Sequence, residues 1–405
     1  MNTHRYKRRM IPILALITAL ALTACSNGTA ETGNSFSVQE SSITIQESSS
    51  SDSTSSSNAV SYTEALESTS LFTERDLQQS ADLTGAVSYT VADGENITIT
   101  EEGIYVISGT ASEVTIAVEA ADTDKVQLVL DALTITNTSS PCIYVKTADK
   151  VWITTNGNES SLTVTGTFAS DGSTHVDAVI FSKQDLVLNG TGILTITSSD
   201  NGITSKDDLK VTGGSLVLSV SGCALEANDL IAIADGSIDI KASYDGIHAD
   251  DEDDQTTGNV YIGGGTVTIQ AEDDAIHAIC AVQIDDGEIT INAAEGIEGT
   301  WIQLNGGVIE LNAADDGINA ANKSDLYTAK LEINGGTITI NMGAGDTDAV
   351  DSNGDLFING GTIYITAQNP FDYDGTCEFN GGEVYVNGQQ ITTITTQDMG
   401  GMGRR

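Results

Sequence analysis

A bend written as an acidic residue, then glycine or alanine, then isoleucine or valine recurs along most of the chain. Its small residues are Ala178, Gly202, Ala224, Gly246, Ala275, Gly296, Gly317 and Ala349, with gaps of 24, 22, 22, 29, 21, 21 and 32 residues. A second marker, Gly-Gly or Asp-Gly, keeps the same step and ends at Gly214, Gly236, Gly265, Gly287, Gly307, Gly336, Gly361 and Gly382. Inserts at 250–259 (DDEDDQTTGN) and 321–330 (ANKSDLYTAK) account for the long gaps, so the base period is near 22. Between the markers apolar residues alternate, as in GGTVTIQ and GGTITI, which is the period of a strand. Three short strands per repeat, punctuated by tight bends, describe one coil of a parallel β-helix. Leucine-rich repeats need a leucine and asparagine spacing that is missing here, and propeller blades need about twice the period. The expected fold is therefore all-β, a single-stranded parallel β-helix with three strands per coil, over residues 91–390. The only helical pattern is a short one at 63–79.

Coils of such a fold stack at the strand spacing of about 4.8 Å. The acidic member of the bend then recurs at one corner: Asp177, Asp245, Asp274, Glu295, Asp316 and Asp348, with Asn201 in register. Asp200, Asp273, Asp315 and Asp346 precede it as partners. Carboxylates at that spacing repel by about 3–4 kcal/mol per neighbour at an effective dielectric near 20. Raised pKa values, splaying into water or bound cations must offset this. Calcium takes six to eight oxygen ligands in flexible geometry and suits such a corner. Asp250 opens the acidic insert and stands ready to complete a site. The alternative is a solvated acidic edge that confers solubility and blocks edge pairing.

Beside the bend, an outward position forms a polar column: Thr204, Glu226, His248, His277, Glu298, Asn319 and Asp351. Such a column suits sugar hydroxyls, with Trp301 and Tyr373 among the few aromatics available to stack on sugar rings. His248 and His277, on adjacent coils, could with Glu298 hold a transition metal, although two exposed imidazoles on a polar face are the commoner outcome. Asn305, Asn334, Asn359 and Asn380 precede the glycine pair in consecutive coils and are expected to form a structural amide ladder. Lys183 and Lys206 stack at a further corner, where a lyase would place its base. An acidic surround favours the charged lysine, which weighs against that role.

The first nine residues hold four cations, and the apolar run behind them, MIPILALITALAL, is short for a membrane span. Residues 1–24 read as a secretory leader. Leu22-Thr23-Ala24-Cys25 resembles a bacterial lipobox, which implies cleavage before Cys25 and a diacylglycerol on its sulfur. The protein is thus expected on the bacterial cell surface, membrane-anchored and extracellular. Residues 25–60 are Ser/Thr-rich and too poor in apolar side chains to build a core, so they read as a tether. Residues 61–90 are assigned to an N-terminal cap and 391–405 to a tail. After the leader 12 basic residues face 58 acidic ones, a balance of −46, which excludes nucleic acid as a partner. Cys142, Cys223, Cys280 and Cys377 are far apart, with no CxxC, so a zinc site is not expected and the four should act as small buried hydrophobes.

The stretches LFTERDL, GIYVISGT, VQLVLDALTITNTSSPCIYVKTADKVWIT, DNGITSKDDLKVTGGSLVLS and NPFDYDGTCEFNGG resemble the bacterial carbohydrate-binding β-helix lipoproteins of the clostridial cellulose- and pectin-binding type. The resemblance spans about residues 71–388. It implies a right-handed helix with bound calcium and no established lyase activity. It also implies that the family's acidic bends fall at Asp245, Asp273-Asp274, Asp315-Asp316, Asp348 and Asp372/Asp374. Cys223 stands where other coils carry the bend acid, and Glu295 replaces aspartate in another. The expectation is a non-catalytic, monomeric surface lipoprotein that binds pectic or other acidic glycan, or cellulose, through calcium-assisted contacts. A calcium-dependent pectate-type lyase using Lys183 or Lys206 is the rival, and an adhesin or stalk the third reading. Arg75 is the sole arginine between the leader and the C-terminal pair, which disfavours a lyase that clamps substrate carboxylates with guanidinium groups.

Overall fold

The computed structural model describes residues 65–251, 253–344 and 347–395. The leader, Cys25, the tether, residues 61–64, Asp346 and residues 396–405 lie outside the described residues. Within that range the chain is all-β apart from a single 3-10 turn at Ser68–Ser70. The strands form two sheets, one of 24 and a smaller one of 12. From Ile143 onward each circuit of the chain adds one strand to the smaller sheet and two to the larger; before it, Gly103–Ser112 and Lys125–Asn137 each serve the larger sheet as one long strand. Asn201–Ser205 is followed by Asp208–Val211 and Ser215–Val220, and the next circuit adds Leu225–Ala227, Leu230–Ile233 and Ser237–Ala242. Each pairs in parallel with its counterpart one coil on. The architecture is the parallel-strand solenoid that the repeat predicts.

Alternation of side chains across each strand explains why it forms. Inward positions stack apolar on apolar: Ile203, Leu225, Ile247, Ile276, Ile297, Ile318 and Val350 align in one column. All are essentially inaccessible to solvent. Each such side chain contributes about 1.5–3 kcal/mol on burial. The bends are set by glycine for two separate reasons. Gly336 has φ of 82°, which side chains rarely adopt, and a Cβ on Gly335 would stand 2.3 Å from the Asn305 carbonyl oxygen. Beside this bend the expected amide ladder is present. Asn334 donates to Asn305 at 2.8 Å, Asn359 to Asn334 at 2.8 Å and Asn380 to Asn359 at 2.9 Å.

The ends depart from the repeat. The helical pattern at 63–79 gives no α-helix in its described part, only the Ser68–Ser70 turn: residues 65–79 instead run as a strap along the outer face of the larger sheet, with Ala65, Leu66, Leu71 and Phe72 packed on its apolar side chains. Backbone N–H groups of Ala65 and Leu66 donate to Gln303 and Gln283, while Asp76 accepts from the Trp152 indole at 3.0 Å. Gln79 reaches the Thr212 carbonyl at 2.8 Å. The strap therefore crosses many coils rather than closing an end. Strand Val87–Thr90, assigned to the cap, pairs in parallel with Tyr105–Ser108 and belongs to the solenoid. At the far end Gln389–Ile391 folds back antiparallel on Glu383–Val386 through Asn387-Gly388, both at positive φ. That hairpin covers an edge that would otherwise remain open to pairing.

Candidate functional site

The acidic bends stack at the entrance to the smaller sheet. Backbone bonds run up the column from Gly202 N–H to Cys223, Ala224 to Asp245, Gly246 to Asp274, Gly296 to Asp316 and Gly317 to Asp348. Asp274 pairs directly with Glu295. Side chains knit the same column. Asn201 Oδ1 accepts from Cys223 N–H at 2.8 Å, Asp245 Oδ1 from Asp274 N–H at 3.0 Å, and Asp316 Oδ1 from Asp348 N–H at 3.1 Å. Carboxylates thus recur here partly because each supplies an acceptor to the bend above it.

Three residues further along each strand stands the outward column, and it too is in register. Thr204, Glu226, His248, His277, Glu298, Asn319, Asp351 and Asp372 pair in succession. Bend and column interlock because positions three apart lie on the same side of the turn into the strand. His248 Nδ1 meets Asp245 Oδ2 at 2.6 Å, and His277 Nδ1 meets Asp274 Oδ2 at 2.8 Å and Glu298 Oε2 at 3.1 Å. The two imidazoles stack with centroids 4.8 Å apart. Lys206 bonds Glu226 at 2.9 Å, and Lys323 caps Glu298.

Repulsion in this array is relieved in two ways. Cationic partners hold some carboxylates ionised: burial would raise Glu298, but His277 and Lys323 outweigh it and hold it at about 2. Others take up protons. Burial, assisted by Asp274, Glu298 and Asp316, pushes Glu295 up to about 7. Burial and the nearby Asp316, Asp372 and Asp348 do the same for Asp351, also to about 7. Asp177 rises to about 6 through burial and Glu226.

The expected metal ligands are not all brought together. Asp245, Asp274, Asp316 and Asp348 share the bend column. Asp273 and Asp315 lie just outside it, exposed and separated by the Ala294 coil. Asp250 and Asp374 lie at the opposite end of the strands, where their N–H groups bond Ala227 and Ser352. Asp372 extends the outward column instead of the bend, whose place Asn369 takes beside Asp348. What converges is Asp274, Glu295 and Glu298, with one oxygen from each within 4.8 Å of the others. Glu295 Oε2 is buried there with no hydrogen-bond partner, and so is Asn319 Oδ1 on the next coil beside Glu298. Orphaned buried oxygens around an all-oxygen donor set fit a hard cation.

Among the expected sugar contacts, Glu226, His248, His277, Glu298, Asn319 and Asp351 form one face. The two aromatics do not join it. Trp301 belongs to the larger sheet and is 9% exposed, with Lys330 Nζ 3.7 Å above its ring and Tyr327 against its edge. Its ring is covered by the neighbours that the 321–330 insert and the next strand supply. Tyr373 pairs with Ser352, an inward position, and packs on the core. The early end of the column is also closed: Tyr144, Phe181 and Val176 pack together over it, and Thr204 is fully buried. The open face starts at Glu226. It adjoins a cleft of about 470 Å³ lined by Asp177, Lys206, Cys223, Glu226, His248 and Asp250. Sequence reading missed Lys323, which no periodicity marks; it put Glu295 in the acidic column but treated it, like Cys223, as a departure from the aspartate pattern and named neither as a metal ligand.

Models of the family described as carbohydrate-binding domain-containing protein match residues 93–347 and 293–399. The chain belongs to this family. Membership agrees with the resemblance carried by the sequence motifs. A family member from Acetivibrio thermocellus is 36% identical over 126 residues, which is 30% of this chain. The chain spans 44% of the length of that curated relative. A solved structure titled as a polysaccharide lyase-like protein from C. thermocellum, in a gadolinium derivative, shares 30% identity at a TM-score of 0.49, over 55% of this chain and 95% of that one.

Proposed function

We propose that this protein binds polysaccharide without cleaving it, along the outward face of the smaller sheet, with calcium at the acidic corner. The reading rests on one observation: a polar column from Glu226 to Asp372 runs in register beside stacked carboxylates that include a buried, unpartnered Glu295 oxygen. Asp274, Glu295 and Glu298 are the residues that would hold calcium, with Asp316 adjoining. Bound there, the ion supplies positive charge to a surface that otherwise repels sugar acids. Glu226, His248, Asn319 and Asp351 present donors and acceptors at the coil spacing to sugar hydroxyls and carboxylates. Pectic or other acidic polymer is the favoured ligand, with cellulose the neutral alternative. The remaining parts of the proposal are a right-handed helix with coils of about 22 residues, a monomeric state, and anchorage to the bacterial surface through a lipid on Cys25.

Two features weigh against a lyase. Lys206 is engaged with Glu226 as a counter-ion, and Lys183 donates to Thr174 at 2.8 Å. Arg75 lies on the Trp152 ring at 3.8 Å, on the other sheet, and is remote in the fold from the polar column. The test is to incubate the mature protein with polygalacturonate and with cellulose, each with calcium and with chelator. Calcium-dependent co-sedimentation with polygalacturonate and no ultraviolet-absorbing unsaturated product is the expected result. Unsaturated product would replace this reading by the lyase; no sedimentation with either polymer would reject glycan binding.

A further inference from the structure

We propose that Cys223, Asp245 and His248 form a second, chemically distinct metal site that takes a divalent transition ion of the zinc class. One ligand atom from each lies within 4.8 Å of the other two. A tetrahedral zinc site with sulfur and nitrogen ligands has ligand-to-ligand distances of about 3.3–3.8 Å, so metal binding would replace the 2.6 Å contact between His248 Nδ1 and Asp245 Oδ2. The donor set excludes calcium as its natural occupant, because thiolate and imidazole are poor ligands for a hard cation. The site follows from the sequence departure at one bend. Where the next coils place Asp245 and Asp274, this coil places a thiol, and the register sets it against the imidazole of the coil above.

The surroundings of Cys223 separate it from a structural cysteine. Cys142 sits within the apolar core, whereas Cys223 is half-buried and lines the cleft with Asp177, Glu226 and His248. That cleft leaves one side of the triad open, as in sites that keep a coordination position for water or a ligand oxygen. Ligand softness then falls along the column over adjacent coils. Cys223, Asp245 and His248 give sulfur, oxygen and nitrogen. Asp245, Asp274 and His277 give two oxygens and a nitrogen, and Asp274, Glu295 and Glu298 give oxygen only. One corner is thus graded from a zinc-type to a calcium-type set. On binding, the Cys223 thiol loses its proton to solvent and its sulfur forms the metal bond, so protons are released and no redox change occurs.

Cobalt(II) reports this site directly, since a cobalt–thiolate bond absorbs in the near ultraviolet and carboxylate or imidazole ligation does not. Titration of the reduced, calcium-free protein with cobalt(II) is expected to give that absorption, reversed by zinc, and it should be absent in Cys223→Ser. Zinc affinity measured by calorimetry should fall by more than about 100-fold in the variant, because loss of even an outer partner costs 10–100-fold. His248→Gln should weaken zinc while retaining some thiolate absorption, which guards against a variant that merely misfolds. Calcium affinity and glycan binding, in which Cys223 has no part, should persist in Cys223→Ser, so this variant separates the zinc site from the polysaccharide reading even though His248 is common to both. Cobalt binding without thiolate absorption, zinc binding unchanged in Cys223→Ser, or no zinc binding by the parent protein would each overturn the proposal.

Discussion

His277 lies between two carboxylates, and its burial sets two opposing effects against each other. Burial alone would lower its pKa, yet the hydrogen bonds that it donates to Asp274 and Glu298 prevail and raise it to about 9. A base whose folded pKa exceeds its unfolded value near 6.5 stabilises the fold fully below that value. The contribution is lost as pH rises through about 9. Glu295 and Asp351, raised to about 7, act with the same sign at lower pH. Their protonated forms favour the fold below their unfolded values near 4, and that preference is gone above about 7. Chelated protein should therefore lose melting temperature steadily from pH 5 to pH 9. His277→Gln should lower stability at pH 6 by about 3 kcal/mol, the scale for leaving a buried charge without its partner. It should also flatten the limb between pH 6.5 and 9, so that the two proteins converge there. Calorimetry across pH in EDTA checks both; parallel curves for parent and variant would contradict the linkage.

At the scale of bends and strands, the glycine pair and the strap make separate predictions. Gly335→Ala drives a methyl group against the Asn305 carbonyl 2.3 Å away, a backbone contact that no side-chain rotation relieves. We expect a loss of about 1–3 kcal/mol, the range for overpacking, seen as a shifted denaturation midpoint at an unchanged slope. Asp76, fully buried, holds the strap through the Trp152 indole and the Thr73 N–H, at 3.0 and 2.9 Å. Asp76→Ala should cost about 1–3 kcal/mol through the orphaned donors. It should also open residues 65–79 to protease while the coils stay intact. This difference shows what a sequence can reveal. Strands, bends, the amide ladder and the polar column repeat, so their stacking follows from period alone. The strap has no period, and its bonds to Gln283 and Gln303 join residues more than 200 positions apart. Trp301 was misplaced for a related reason: alternation shows that its ring points outward, but not that Tyr327 and Lys330 lie over it. The split of the aspartates between opposite strand ends was hidden because a two- or three-residue offset within one coil moves a carboxylate to another corner.

Over the whole molecule, a formal charge of −42 opposes every compact state, and a solenoid cannot disperse charge that it repeats at one corner. Part of the repulsion is already relieved by His277, Lys206 and Lys323, which neutralise carboxylates on three different coils. Glu295 Oε2, on the same coil as the neutralised Glu298, has no such partner. Simple screening and site binding predict different responses there. Sodium chloride at 0.15 M shortens the screening length to about 8 Å, which weakens the exposed repulsions but barely reaches a buried oxygen. Calcium coordinated by Asp274, Glu295 and Glu298 acts by mass action instead, adding about 2.7 kcal/mol once its concentration is 100 times its dissociation constant. At matched ionic strength, calcium should therefore raise the melting temperature well beyond sodium, and Glu295→Gln should erase most of the excess while leaving the sodium response intact. A thermal melt in each salt, for parent and variant, separates the two. Equal melting temperatures in sodium and calcium would show that the corner needs only screening, and the column beside it would then have no cation to offer an acidic glycan.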